Sequence, residues 1–377
     1  MQLTHGKDDR RASGPRAKDG EMHDGWTPTS WHEHAGAQQF EYPDAGAVER
    51  ASAELGRLPP LVTSWEIEQL KELIADAQEG TRLILQGGDC AESLSDCTSE
   101  SIASKLKILL QMSLVLVQGT QTPVVRIGRF AGQYAKPRSS AVETRVVDGQ
   151  EVSLPSYFGD LVNREPFTVN SRAPDPWLMV SAHQHAALTL NFVRSLTGGG
   201  FADLHHPEYW DLGFVQHAGL SPERRQQYER TSGELSRALR FMEALGERSV
   251  DELSRVEFFT SHEGLNLLYE SAMTRRVPRR AGHYNLSTHL PWIGERTRGL
   301  DGAHVEYFRG ISNPVGVKLG PKAEPVEVLR LVDRLNPANE PGKIVLIARM
   351  GAQHVGARLG PLIEVLAAPP SPRTTQT

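Results

Sequence analysis

Residues Leu85–Ser93 read LQGGDCAES. A short apolar run, RLIL at 82–85, leads into them, and SIASKLKILLQMSLVL at 101–116 follows with helical spacing of its apolar residues. The pattern predicts a buried strand that ends in two glycines, an acid and a cysteine, then turns into a helix. In α/β proteins the carboxyl end of a strand is where ligands bind. Cys90 therefore stands at the kind of position where a side chain meets a substrate.

The rest of the chain repeats this beat. Strand-like runs recur as RLILQ from 82, PVVRIG from 123, RVEFFT from 255, NLSTHLPWIG from 285, NPVGVKLG from 313 and KIVLIA from 343. Helix-like segments at 101–117, 262–274, 324–336 and 354–367 lie among them, and strand–helix alternation predicts a parallel sheet. Ahead of the first strand, TSWEIEQLKELIADAQEG at 63–80 carries a Ser/Thr cap, a helical apolar pattern and a glycine stop. Residues 141–250 break the beat: loop-like at first, helical near 176–196, and helical again in RRQQYERTSGELSRALRFMEAL. They read as an insertion. The organisation expected is a disordered polar tail at 1–25, an N-terminal extension with a helix at 26–81, an incomplete (β/α) barrel at 82–366 and a polar tail at 367–377.

Composition narrows the function classes. The 377 residues are 39 % apolar with a net charge of −5, which gives no general attraction to nucleic acid. No run reads as a membrane span, and the first twenty residues lack the apolar core of a secretory signal. Two cysteines, Cys90 and Cys97, are too few for a disulfide framework, so a reducing cytoplasm is the expected setting.

Long cations mark the other strand ends. RIGRFAGQYAKPRSS at 126–140 supplies Arg129, Lys136, Arg138 and Ser139. WIGERTR at 292–298 supplies Glu295, Arg296 and Arg298, GVKLGP at 316–321 supplies Lys318, and IARMG at 347–351 supplies Arg349. One such arginine alone is more often a surface or salt-bridge residue. Several at the ends of buried strands are costly unless they face a cleft and meet anions. Their recurrence points to a small, multiply charged substrate carrying phosphate and carboxylate groups, which Arg grips in bidentate fashion and Lys meets as a point charge.

LILQGGDCAES, VVRIGRFAGQYAKPRSS, TSHEGLNLLYE, HLPWIGERTRGLDGAHVEYF, NPVGVKLGP and LIARMGAQHVG, spread across residues 60–366, together resemble class II 3-deoxy-D-arabino-heptulosonate 7-phosphate (DAHP) synthases. The resemblance implies a TIM (β/α)8-type barrel, with about six of its eight strand–helix units in this chain. It also implies condensation of phosphoenolpyruvate with erythrose 4-phosphate at the start of the shikimate pathway to aromatic amino acids or secondary metabolites. By position, Arg129, Glu295, Arg296, Lys318 and Arg349 match the family's phosphoenolpyruvate contacts. Lys136, Pro137, Arg138 and Ser139 match its erythrose 4-phosphate contact, and Cys90 its metal ligand. The implied cofactor is a divalent metal such as manganese or cobalt that polarises the aldehyde. A homo-oligomer is expected, with chorismate mutase or a complete synthase as further partners.

The family's other metal ligands, a His in a DPMHGN-like motif and a Glu and an Asp beyond it, have no counterpart here; the chain reads as truncated at its C-terminus and its metal as weakly bound. His217, His262, His289, His304 and His354 are conceivable substitutes, each better read as structural or surface. Two readings stay open: an active synthase, and a non-catalytic relative that binds phosphoenolpyruvate or regulates a complete enzyme.

Overall fold

The structure, a computed structural model, describes residues 25–198, 221–227, 229–230, 233 and 257–367. The expected disordered tail at 1–25, all but its last residue, lies outside these residues. So do nearly all of the polar tail and most of the helix expected from RRQQYERTSGELSRALRFMEAL.

Six parallel strands form the central sheet: β1 (Leu83–Gly88), β2 (Val124–Arg129), β5 (Phe259–Glu263), β8 (Leu290–Ile293), β9 (Val315–Leu319) and β10 (Ile344–Ala348), in the spatial order β1-β2-β5-β8-β9-β10. The fold is α/β with a partial, TIM-barrel-like core, and among the described residues β1 and β10 are its two edges. Strand order follows chain order because each crossover helix returns the chain to the same side. All six carboxyl ends consequently share one rim.

Alternate residues of each strand face opposite ways, and the two faces bury different partners. On the concave side, Val125, Ile127, Phe259 and Leu290 pack against Leu70 and Ile74 of α2 (Ser64–Gln78). That helix closes the amino-terminal end of the partial barrel. Its start is well specified: the Thr63 hydroxyl accepts from Glu66 N–H, and the Glu66 carboxylate accepts from Thr63 N–H at 2.8 Å, a reciprocal capping box. On the convex side, Ile293, Val315, Val317 and Leu319 pack against three helices: Ala303–Phe308, Pro325–Leu335 and Ala352–Ala367. Trp26 and Trp31 join this layer, Trp26 by donating from Nε1 to the Glu306 carbonyl at 2.9 Å.

Three sequence expectations need correction. The strand expected from RVEFFT at 255–260 runs instead from Phe259 to Glu263, because a strand of buried polar residues, Thr260, Ser261, His262 and Glu263, gives no apolar signal. The insertion begins as an antiparallel hairpin, not a loop: β3 (Val142–Val147) pairs with β4 (Gln150–Pro155). Its turn residues Asp148 and Gly149 both have positive φ, 49° and 80°, as an Asp-Gly type I′ turn requires. Finally, α3 (Ser99–Thr120) does reach the length and apolarity of a membrane span. Here it lies against the sheet through Ile102, Leu106, Leu109 and Leu110, and Arg126 of β2 donates to its Ser113 Oγ at 2.7 Å. The insertion's second part does form a helix, Trp177–Gly198, as its pattern predicts.

Candidate active site

At the rim, the concave face changes from aliphatic to charged. Trp292 of β8 is fully buried and sits between two cations: the Arg129 guanidinium carbon lies 4.7 Å from its ring centroid and the Lys318 ammonium 4.9 Å. Both are cation–π distances, and such a contact stabilises each cation by roughly 0.5–2 kcal/mol. Lys318 is also 3.3 Å from Glu263, which is itself buried at the end of β5. Arg129 Nε is buried without a hydrogen-bond partner among the described residues, and so is Trp292 Nε1. Unsatisfied buried donors are costly, and a polar ligand is one way to satisfy them.

The loops after β8, β9 and β10 interlock. Glu295 accepts from Gly320 N–H at 2.6 Å and pairs with Arg298 at 3.1 Å, while Arg298 also reaches Glu327 at 2.8 Å. Glu295 and Arg298 are thus committed to one another and to the next loop. Between them Arg296 is exposed, with no protein anion paired to it among the described residues. Arg349 is exposed as well, but its backbone N–H donates to the Leu319 carbonyl at 2.8 Å, so it stands beside the end of β9.

The segment Lys136–Ser139 is held by its backbone. Lys136 N–H donates to the Phe158 carbonyl at 2.8 Å and Arg138 N–H to Gln38 Oε1 at 2.7 Å; among the described residues neither cationic side chain has an acidic partner. Pro137 is half-buried between them and Ser139 is exposed.

Cys90 follows β1 by two residues and is exposed. Its neighbour Asp89 is already paired with Lys105 at 2.6 Å. Among the described residues no group of three or more His, Cys, Asp or Glu side chains stands close enough to hold an ion. These residues do not fit a divalent metal site. The histidines lie elsewhere: His262 is buried against Glu270 at 2.9 Å, His289 Nδ1 accepts from Thr260 N–H at 2.9 Å, and His304 Nε2 donates to the Leu265 carbonyl at 3.1 Å. His354 lies on the exposed side of the last helix, and His217 is outside the described residues.

A model of the class-II DAHP synthetase family matches residues 26–371. The chain belongs to this family. It is 47 % identical to the phospho-2-dehydro-3-deoxyheptonate aldolase of Neurospora crassa over 349 residues, covering 89 % of this chain and 70 % of that one. The enzyme of the same name from Streptomyces coelicolor is 45 % identical, over 90 % of this chain and 73 % of its own. The AroG enzyme from Mycolicibacterium smegmatis is 43 % identical, over 86 % and 68 %. Family membership carries metal dependence with it.

Sequence reasoning passed over four residues that this geometry brings forward: Glu92, Gln133, Glu263 and Trp292. Glu263 and Trp292 lie in stretches rich in other signals, and each looks like core or solvent from sequence alone. Their spacing to Lys318 exists only once β5, β8 and β9 are side by side.

Proposed function

We propose that this chain condenses phosphoenolpyruvate with erythrose 4-phosphate, the aldol-type reaction that opens aromatic amino-acid biosynthesis. The observation that carries the reading, beside family membership, is the set of cations along one rim that lack acidic partners among the described residues: Arg129, Arg296, Arg349, Lys136 and Arg138. Two phosphates and a carboxylate would supply what they lack.

Arg129, Arg296, Lys318 and Arg349 are assigned to phosphoenolpyruvate, with Glu295 holding the Arg296 loop against Gly320. Lys136, Pro137, Arg138 and Ser139 are assigned to the sugar phosphate. Cys90 is the one described residue assigned toward a divalent ion such as manganese or cobalt. In the reaction, C3 of phosphoenolpyruvate bonds to the aldehyde carbon and the aldehyde oxygen takes up a proton. Water then adds at C2 and loses a proton, and the bond from C2 to the phosphate oxygen breaks to leave a ketone and inorganic phosphate. One proton is consumed and one released, so no further co-reactant is needed. The rim's part is to hold two anions in contact and offset their repulsion, which is positioning with electrostatic stabilisation. Glu263, 3.3 Å from Lys318, stands beside the assigned phosphoenolpyruvate site.

The test is direct: phosphate release from the two substrates, with product identified by mass. Release in equal amount to the seven-carbon product is expected. A second reading, phosphoenolpyruvate binding without turnover, is favoured by the isolation of Cys90 among the described residues. Saturable binding with no phosphate release would select it.

A further inference from the structure

The turn after Cys90 ends in Glu92, a carboxylate that is 5 % exposed and, among the described residues, ion-paired to no cation. It is occupied instead by backbone. Three consecutive N–H groups, of Ala131, Gly132 and Gln133, donate to it at 3.0, 2.9 and 2.7 Å. In return Glu92 N–H donates to the Gln133 carbonyl at 2.7 Å. The Gln133 side chain, 1 % exposed, then reaches the other way: its Oε1 accepts from Glu263 N–H at 3.0 Å and its Nε2 donates to the Ala135 carbonyl at 3.1 Å. Three strand ends, those of β1, β2 and β5, are tied at this one point.

The loop so held is not a relaxed one. Ala131 has φ +65°, a left-handed conformation that costs a residue with a side chain. Gly132 has φ +158°, and a Cβ there would lie 2.4 Å from His262 Nδ1. A loop in this shape persists only where its surroundings over-determine it. Three residues beyond Gln133 stands Lys136, the first residue of the segment assigned above to the sugar phosphate.

We propose that Glu92 and Gln133 are positioning residues: their clamp on 131–133 sets where Lys136–Ser139 meets the sugar phosphate. The inference rests on the assignment of that segment under the proposed function. A glutamine at 92 keeps the shape but turns an NH2 group toward backbone N–H donors, so at least one of the three bonds is lost. Its effect falls on one substrate. Arg296, Lys318 and Arg349 come from the ends of β8, β9 and β10, which the clamp does not bond, so phosphoenolpyruvate should be held nearly as before.

The experiment uses the full chain, with Glu92→Gln and, should that variant fold poorly, Gln133→Leu. Calorimetric titration measures phosphoenolpyruvate, and erythritol 4-phosphate (no aldehyde, hence no turnover) in its presence. Hydrogen exchange follows the amides of 131–136. Expected are a tenfold or greater loss of affinity for erythritol 4-phosphate, less than twofold for phosphoenolpyruvate, and exchange at least tenfold faster. A merely structural role weakens both ligands alike, and that result, or an unchanged sugar-phosphate affinity, overturns the proposal. Wild type that binds neither ligand overturns the site assignment itself; the exchange rates then judge the clamp alone, and equal rates in variant and wild type overturn it.

Discussion

Lys318 Nζ and Glu263 Oε2 are 3.3 Å apart, on strands separated by a third whose tryptophan touches the lysine's charge. The relationship separates two roles of one residue. Losing Lys318 leaves Glu263 buried and unpaired, and breaking a buried pair costs about 3 kcal/mol or more. Lys318→Met is expected to lower the melting temperature and abolish the stabilisation given by phosphoenolpyruvate. The double variant with Glu263→Gln should regain most of the stability and none of the ligand response. Thermal melts with and without phosphoenolpyruvate check both halves; recovery of the ligand response in the double variant would remove Lys318 from the site.

Trp292 is expected to act through its face. Trp292→Phe keeps an aromatic ring beneath Arg129 and Lys318, while Trp292→Leu does not. With roughly 0.5–2 kcal/mol in each cation–π contact, phosphoenolpyruvate affinity should fall by up to about tenfold in the first variant and clearly further in the second. Equal affinities for the two variants, measured by titration, would count against this role.

Arg296 offers a cleaner probe because its side chain is exposed and unpaired among the described residues. Arg296→Ala should leave the ligand-free melting point within the small range usual for surface changes, about 0.5 kcal/mol. The rise produced by phosphoenolpyruvate should shrink to a small fraction of its wild-type value. An undiminished rise would take Arg296 out of the anion site.

Acid should weaken the fold in a defined window. Burial pushes the His304 imidazole down to about 4, and burial lowers His183 and His289 in the same direction. These rings are neutral when folded and take protons more readily when unfolded. Between pH 6.5 and 4 the unfolded chain therefore binds more protons, and stability falls as pH falls through that range. His304 alone accounts for on the order of 3 kcal/mol. His304→Gln should flatten the dependence of melting temperature on pH between 6.5 and 4; a variant slope as steep as the wild type's would exclude His304 as a cause.

The two thiols should differ. Cys90 is exposed, whereas Cys97 is half-buried with its sulfur 3.4 Å from Thr189 Oγ1. Iodoacetamide is expected to label Cys90 first. Micromolar manganese should not change that order, since the described residues hold no group of three or more ligating side chains. Stoichiometric protection at that concentration would mean that ligands come from elsewhere in the chain or from a partner.

Much of the fold was legible because apolar periodicity and local stop signals act over a few residues. β8, β9 and β10 each lie within the runs that announced them, β1 and β2 overrun theirs by two residues and one, and Thr63 caps the helix whose pattern follows it. β5 was displaced by four residues because its polar side chains are buried by neighbours that no local window contains. The hairpin at 142–155 did carry a signal, Asp-Gly between alternating residues, that the loop reading overlooked.

The sequence by itself determined which residues carry charge and where: Arg129, Arg296, Lys318 and Arg349 were identifiable because each follows or ends an apolar run, and strand ends are a local property. Tertiary structure alone decided how those charges are used. It spent Glu295 and Arg298 on each other, laid Arg129 and Lys318 against one indole, and buried Glu92 under three backbone donors. Pairing, burial and unmet hydrogen bonds depend on distances across strands far apart in the chain, and no reading of one segment contains them.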